Sequence, residues 1–243
     1  MPADDRDPSE WVIRKLERLG KLTNGDREAL RALPYRLEQV RAHHMLVREG
    51  AQITDCCILV QGYACRHKVT SEGARQIVSF HIRGDIMDIQ HLLLPQADHY
   101  LQTITPATVA WVAKSALLKL AWERPAIGAT LWRDSLIDAS IFREWVLNVG
   151  RRSARTRIAH MLCEFAARCE AAGLGTAENF PLPMTQEQIA DATGLTAIHV
   201  NRMLRDLDED GAISRNGRDV RITDWKQLRR IADFDPAYLH AAA

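Results

Sequence analysis

His199, Asn201, Arg202 and Arg205 lie close together in a stretch whose apolar residues Val200, Met203, Leu204 and Leu207 recur at the spacing of one helical face. That spacing puts the polar group, together with Ile198, on the opposite face. An arginine fork matches the two major-groove acceptors of guanine, and an asparagine amide matches adenine. A helix carrying such side chains fits the major groove of DNA, which is about 12 Å wide. These residue types at this spacing imply recognition of base edges.

Such a helix needs elements that aim it. Thr185 and Gln188 form a capping-box pattern and start a helix just upstream. Ile189 and Ala190 supply its inward face, Gly194 permits a tight turn, Leu195 plugs the corner and Thr196 caps the next helix. Two short helices joined by a glycine turn, the second displaying donors, match the helix-turn-helix pattern. Downstream, Ala212 to Arg215, the pair Asn216-Gly217 and Arg218 to Ile222 read as a β-hairpin, because Asn-Gly is a preferred two-residue turn. Arg215, Arg218 and Arg221 can then meet phosphates. The plainer reading is a helical pair beside a surface hairpin with solvated charges. The two pieces in this order favour the DNA reader.

Further upstream, Pro125 opens a long helix reaching about Val149, since proline suits the first helical position. It is apolar on more than one face, where a surface helix needs one stripe. The expectation is a dimerisation helix using Leu131, Ile137, Ile141, Phe142, Trp145 and Val149. The alternative is a fully buried core helix. Residues Trp11 to Leu33 read as short helices. From about Leu37 to Leu120, short runs rich in Val, Ile, Thr and aromatic residues are punctuated by Gly50, Gly62, Gly73 and Gly84, as in a β-roll or sandwich. Ser71-Glu72-Gly73 reads as a hairpin turn. Domains are expected at 1–124 (β-roll sensor with N-terminal helices), 125–150 (dimerisation helix) and 151–243 (winged helix-turn-helix). The fold class is α+β.

The 243 residues suffice for two modest domains, and the net charge of +1 provides no global attraction to nucleic acid, so the argument rests on local placement of arginine. No apolar run is long enough to span a membrane. The polar start, Met1 to Glu10, lacks the apolar core of a signal peptide. The cysteines Cys56, Cys57, Cys65, Cys163 and Cys169 are odd in number and irregularly spaced, which suits a reducing cytoplasm. No Gly-x-Ser-x-Gly, phosphate-loop, His-Glu-x-x-His or His-x-His pattern occurs, so an enzyme, including a metal-dependent β-barrel enzyme, is not expected.

The arrangement resembles the Crp/Fnr family, that of the cyclic-AMP receptor protein and the fumarate-nitrate reduction regulator. The resemblance covers nearly the whole chain. It is strongest from Arg157-Ile158-Ala159 to Ile222. It is moderate from Gly50 to Gly84-Asp85, and Glu123-Arg124-Pro125 looks like the family's helix start. The end, Ala232 to His240, is similar to tails of one branch. The resemblance implies an N-terminal double-stranded, cyclic-nucleotide-binding-like β-roll, a long dimerisation helix and a C-terminal winged helix-turn-helix. It implies a homodimer reading a palindromic site whose half-sites lie about 34 Å apart, with activity set by an effector in the β-roll. Arg202 matches the family's most regular base-contacting arginine, and Thr185, Gln186, Thr196 and Ala197 match positions that touch phosphates or bases. Double-stranded DNA, a second copy of the chain and RNA polymerase are the expected partners, with no membrane.

The departures carry information. Where the namesakes have a glutamate four residues before that arginine, Ile198 stands here; it can touch a thymine methyl but cannot accept from cytosine. The cyclic-nucleotide cassette is missing. Gly84-Asp85 continues as Ile86-Met87-Asp88-Ile89, His99-Tyr100 replaces the phosphate-binding Arg-Ser, and no Lys or Arg occurs between Arg83 and Lys114. A buried cyclic phosphate without a cation is costly, so this ligand is not expected. No cysteine precedes Cys56, so an N-terminal cluster ligand set is absent. No cofactor and no metal site are expected, and the effector is unassigned. Rival readings remain. Cys65 and His67 share a strand face and can ligate metal or haem iron, with His43, His44, His81, His91 and His99 as further partners. Cys56, Cys57 or Cys65 can act as a redox switch. The β-roll can bind a small molecule without any DNA activity.

Overall fold

The computed structural model describes residues 7–176, 180, 182–216 and 219–240. They group into two compact units, one of residues 7–67 and 80–139, the other of 68–79 and 140–240.

The first unit opens with α1 (Pro8–Leu19) and α2 (Asn24–Arg31). Thr23 caps α2 in a reciprocal box with Asp26, which satisfies two otherwise unpaired backbone donors. The strands are β1 (Arg36–Val40), β2 (Met45–Val47), β3 (Asp55–Gln61), β4 (Ala64–Val69), β5 (Arg75–His81), β6 (Tyr100–Thr103) and β7 (Ala107–Ala113), with a 3-10 turn at Ile89–Leu92; the end of β4 and most of β5, within residues 68–79, group with the second unit. They form two sheets, ordered β1-β7-β3 and β2-β6-β4-β5. The turn after β4 closes where expected: Gly73 adopts φ 86° and its N–H bonds the Thr70 carbonyl at 2.9 Å.

The continuous apolar run of β3 has a simple cause. Cys56, Ile58 and Val60 face a core built with Trp11, Leu16, Leu117 and Ile127 from the helices. Cys57 and Leu59 face a second core with Met87, Leu101 and Val109. With a side-chain period of two, a strand buried on both faces shows no alternation. The segment after β7 departs from the expected strand texture. Lys114–Glu123 is a helix, α3, as its alanine and leucine content favours.

α4 (Pro125–Arg151) runs two residues beyond the expected end at Val149. Near its start, Lys15 of α1 bridges Asp85 at 2.9 Å and Asp134 of α4 at 3.0 Å. Burial alone would lower the Lys15 pKa; the two carboxylates more than offset this and raise it. Arg66 of β4 makes a similar tie, pairing with Asp138 at 2.7 Å and donating to the Met87 carbonyl at 2.6 Å.

In the second unit come α5 (Ala154–Ala171), α6 (Gln186–Thr193), α7 (Ala197–Glu209), the hairpin β8 (Ile213–Asn216) and β9 (Asp219–Ile222), α8 (Trp225–Ala232) and a 3-10 turn at Pro236–Leu239. Ser153 ends the preceding helix and caps α5. Ile158, Met161, Leu162 and Phe165 of α5 are buried, and α5 packs on α6, α7 and α8. The tail is part of this core. Buried Glu164 accepts from Trp145 Nε1 at 3.0 Å and from the Tyr238 hydroxyl at 2.8 Å, and His160 packs against Phe234 and Tyr238.

Candidate nucleic-acid interface

The reading helix is built as its periodicity requires. Thr185 accepts from the Gln188 N–H while the Gln188 side chain accepts from the Thr185 N–H, so α6 starts with a complete capping box. Gly194 ends it at φ 64°, a left-handed conformation that glycine adopts without penalty. Thr196 caps α7 by accepting from the His199 N–H. Val200, Leu204 and Leu207 are buried, and Met203 is half-buried. Ile198, at 83 % exposure, and His199, Asn201, Arg202 and Arg205 stand in solvent.

Thr185, Gln186, Ala197 and Arg215 line one cleft at the start of α6 and α7. Residues from three separate segments therefore come together. The free N–H groups and dipole at the start of a helix suit a phosphate oxygen there. Arg215 adds a feature that spacing does not reveal: its guanidinium donates to Asn201 Oδ1 at 3.1 Å and to the Asn201 carbonyl at 3.4 Å. The hairpin arginine thus orients a residue of the reading face. Arg205 makes a loose exposed pair with Glu209 at 3.7 Å. Arg218 and the Gly217 half of the expected turn lie outside the described residues.

The basic run that opens the second unit has another role. Arg152 is buried against Glu144 at 2.6 Å, Arg155 pairs with Asp210, and Arg157 donates to the carbonyls of Arg152 and Thr193, both at 3.0 Å. Three arginines close together in the sequence are internal ties.

On α4, the residues expected to pair divide. Leu131, Ile141 and Trp145 are buried in the chain's own cores, Ile137 and Val149 are half-buried, and Phe142 is exposed. The opposite side carries exposed Trp132, Leu136, Val146 and Leu147. Sequence reasoning sees two apolar faces; it cannot say which one the protomer uses itself.

In the β-roll, the Gly84-Asp85 turn is structural. Asp85 accepts from Lys15 and from the Ile82 N–H at 3.0 Å. The stretch without basic residues does receive a cation from elsewhere, since Arg66 reaches the Met87 carbonyl. Burial pushes the Cys56 and Cys57 thiols well above their ordinary range, leaving little of the thiolate that redox chemistry needs. Among the described residues, one donor atom each from His91, Asp98 and His99 lie within 4.8 Å of one another; Cys65 and His67 are outside that group.

Two sheets ahead of a long helix, then paired short helices, a displayed reading face and a β-hairpin, define a winged helix-turn-helix DNA-binding protein. Comparisons with known proteins agree. Residues 156–231 match the Crp-like helix-turn-helix domain, and residues 37–123 match the cyclic nucleotide-binding domain. The chain is 28% identical over 212 residues to the transcriptional activator protein FnrL of Cereibacter sphaeroides, covering 82% of this chain and 84% of that one. It is 30% identical over 156 residues to the nitrogen fixation regulation protein FixK of Bradyrhizobium diazoefficiens, covering 64% and 65%. Its structure is similar to that of FixK2 from Bradyrhizobium japonicum, with a TM-score of 0.75 at 26% identity, over 82% of this chain and 98% of that one. The chain belongs to the Crp/Fnr family of transcription regulators and carries that family's helix-turn-helix DNA-binding domain. Among the described residues, no helix is long and apolar enough to cross a membrane.

Proposed function

We propose that this regulator works in the cytoplasm as a homodimer on a palindromic operator, with one α7 in each of two successive major grooves. The domains are 1–124, 125–150 and 151–243. Arg202 reads guanine, His199, Asn201, Arg205 and Ile198 contact neighbouring bases, and Thr185, Gln186, Thr196, Ala197, Arg215 and Arg218 hold the backbone. The α4 helices pair through the side bearing Trp132, Leu136, Phe142 and Val146, flanked by Ile137 and Val149. Leu131, Ile141 and Trp145 support that face from behind. An effector in the β-roll sets activity, and the bound dimer meets RNA polymerase.

One observation carries the reading: His199, Asn201, Arg202 and Arg205 are all exposed on a helix whose other face is buried. A solvated face needs no such cluster of base-matching donors. The exposed large apolar residues of α4 support pairing, because apolar patches of this kind mark contact surfaces.

The test is selection from a randomised DNA pool by the purified protein at controlled salt. A two-fold symmetric consensus with half-sites about 34 Å apart is expected, and Arg202→Ala should weaken binding to it by about 1–3 kcal/mol. Full-strength specific binding by Arg202→Ala would displace α7 as the reader. Enrichment of nothing beyond salt-sensitive background, with and without cell extract, would favour a ligand-binding β-roll whose helix-turn-helix meets protein.

A further inference from the structure

Inside the β-roll, just before β6, two histidines are buried without an evident structural job. His91 is fully buried, and neither ring nitrogen has a hydrogen-bond partner among the described residues. His99 is 3% exposed; its Nε2 is likewise unpartnered, while its Nδ1 faces Asp98 Oδ1 at 2.7 Å. The two rings stack at 5.2 Å between centroids. Buried polar atoms normally find partners, so three orphaned nitrogens in two adjacent rings point to a missing one.

We propose that His91, His99 and Asp98 bind one divalent first-row transition-metal ion. Two imidazoles and a carboxylate suit such ions and leave positions open. Around an ion with bonds of about 2.0–2.2 Å, neighbouring tetrahedral donors sit about 3.3 Å apart. The three donors here lie within 4.8 Å of one another, so the widest pair needs to close by about 1.5 Å. The segment between them can give: Leu93 and Leu94 are exposed, as is the Asp98 carboxylate, which also marks the entry side. Burial lowers the pKa of both histidines, His99 to about 4, so both are neutral ligands at pH 7. The nearby cation Arg66 also lowers both, but its charge is taken up by Asp138 at 2.7 Å. The site replaces the earlier expectation of no metal and stands apart from the DNA reading.

The experiment uses full-length protein without a histidine tag, stripped with chelator and titrated with Co²⁺ in the absence of DNA. One ion per chain with visible ligand-field absorption, displaced by Zn²⁺, is expected. The double variant H91A/H99A should abolish it. D98N changes an exposed side chain and removes a ligand; it should weaken affinity by at least the about 10–100-fold that loss of an outer-shell partner costs. No stoichiometric binding, binding that survives in H91A/H99A, or unchanged affinity in D98N each overturns the proposal.

Discussion

The winged helix and the β-roll treat polar residues in opposite ways. In α7, Arg202, Asn201 and His199 are displayed and Val200, Leu204 and Leu207 are buried, so one helical period separates contact from support. In the first unit, Lys15, Asp85, Asp88, His91, His99 and Asp134 are buried or nearly so, and Lys15, Asp85, Asp88 and Asp134 have partners distant in sequence. A reader of DNA has to present its chemistry to a large exposed partner. The β-roll encloses its polar groups, so they enter the fold's own balance of desolvation and pairing. The contrast implies that changes on α7 alter binding and leave stability intact, whereas changes in the roll alter stability first.

The sharpest test is Lys15→Met. It leaves Asp85 and Asp134 buried without their cation, and such loss costs about 3–5 kcal/mol, read as a lower urea midpoint with an unchanged slope. A cost below about 1 kcal/mol would erase the contrast. Arg202→Ala should shift the urea midpoint by less than about 0.5 kcal/mol while losing about 1–3 kcal/mol on the selected site; a large stability loss would mean that the reading face is also core.

The second unit has its own buried histidine, which limits the comparison. Burial, with help from Arg152, lowers His160 to about 3. A histidine lowered in the folded state takes up its proton in the unfolded chain first, so its stabilising effect is complete above about pH 6.5 and is lost as pH falls toward 3. At about 1.4 kcal/mol per unit, unfolding at pH 5 should be about 2 kcal/mol easier than at pH 7. His160→Gln should flatten that part of the urea-midpoint profile; an unchanged slope would assign the acid sensitivity elsewhere. The smallest expected effect is at the reader's foundation. Thr185→Ala removes the α6 cap and should cost about 1 kcal/mol of stability, with a weaker operator complex if Thr185 also holds a phosphate.

Some particular elements explain what could be read in advance. The α6 capping box, the Gly194 turn and the α7 stripe are local: every partner lies within a few residues, so spacing is sufficient. The helix α3 was hidden because it follows β7 without a break and extends an apolar run. The roles of Arg152, Arg155 and Arg157 are not legible in the sequence because their partners Glu144, Asp210 and Thr193 come from other elements. The two apolar faces of α4 were visible as a pattern, but the side taken by the protomer, with Leu131, Ile141 and Trp145, depends on what packs against it.

By itself the sequence determined the order of elements, the apolar stripe of α7 with exposed donors opposite it, and the lack of a phosphate-binding arginine beside Tyr100. Each follows from periodicity, capping or residue type within one segment. Only the tertiary structure decided that Lys15 locks Asp85 to Asp134, that Arg215 orients Asn201, that Arg66 supplies a cation to a loop with none of its own, and that His91 meets His99. These depend on chain segments brought together by burying apolar faces, and the fold brings them within bonding distance without any short-range sequence signal.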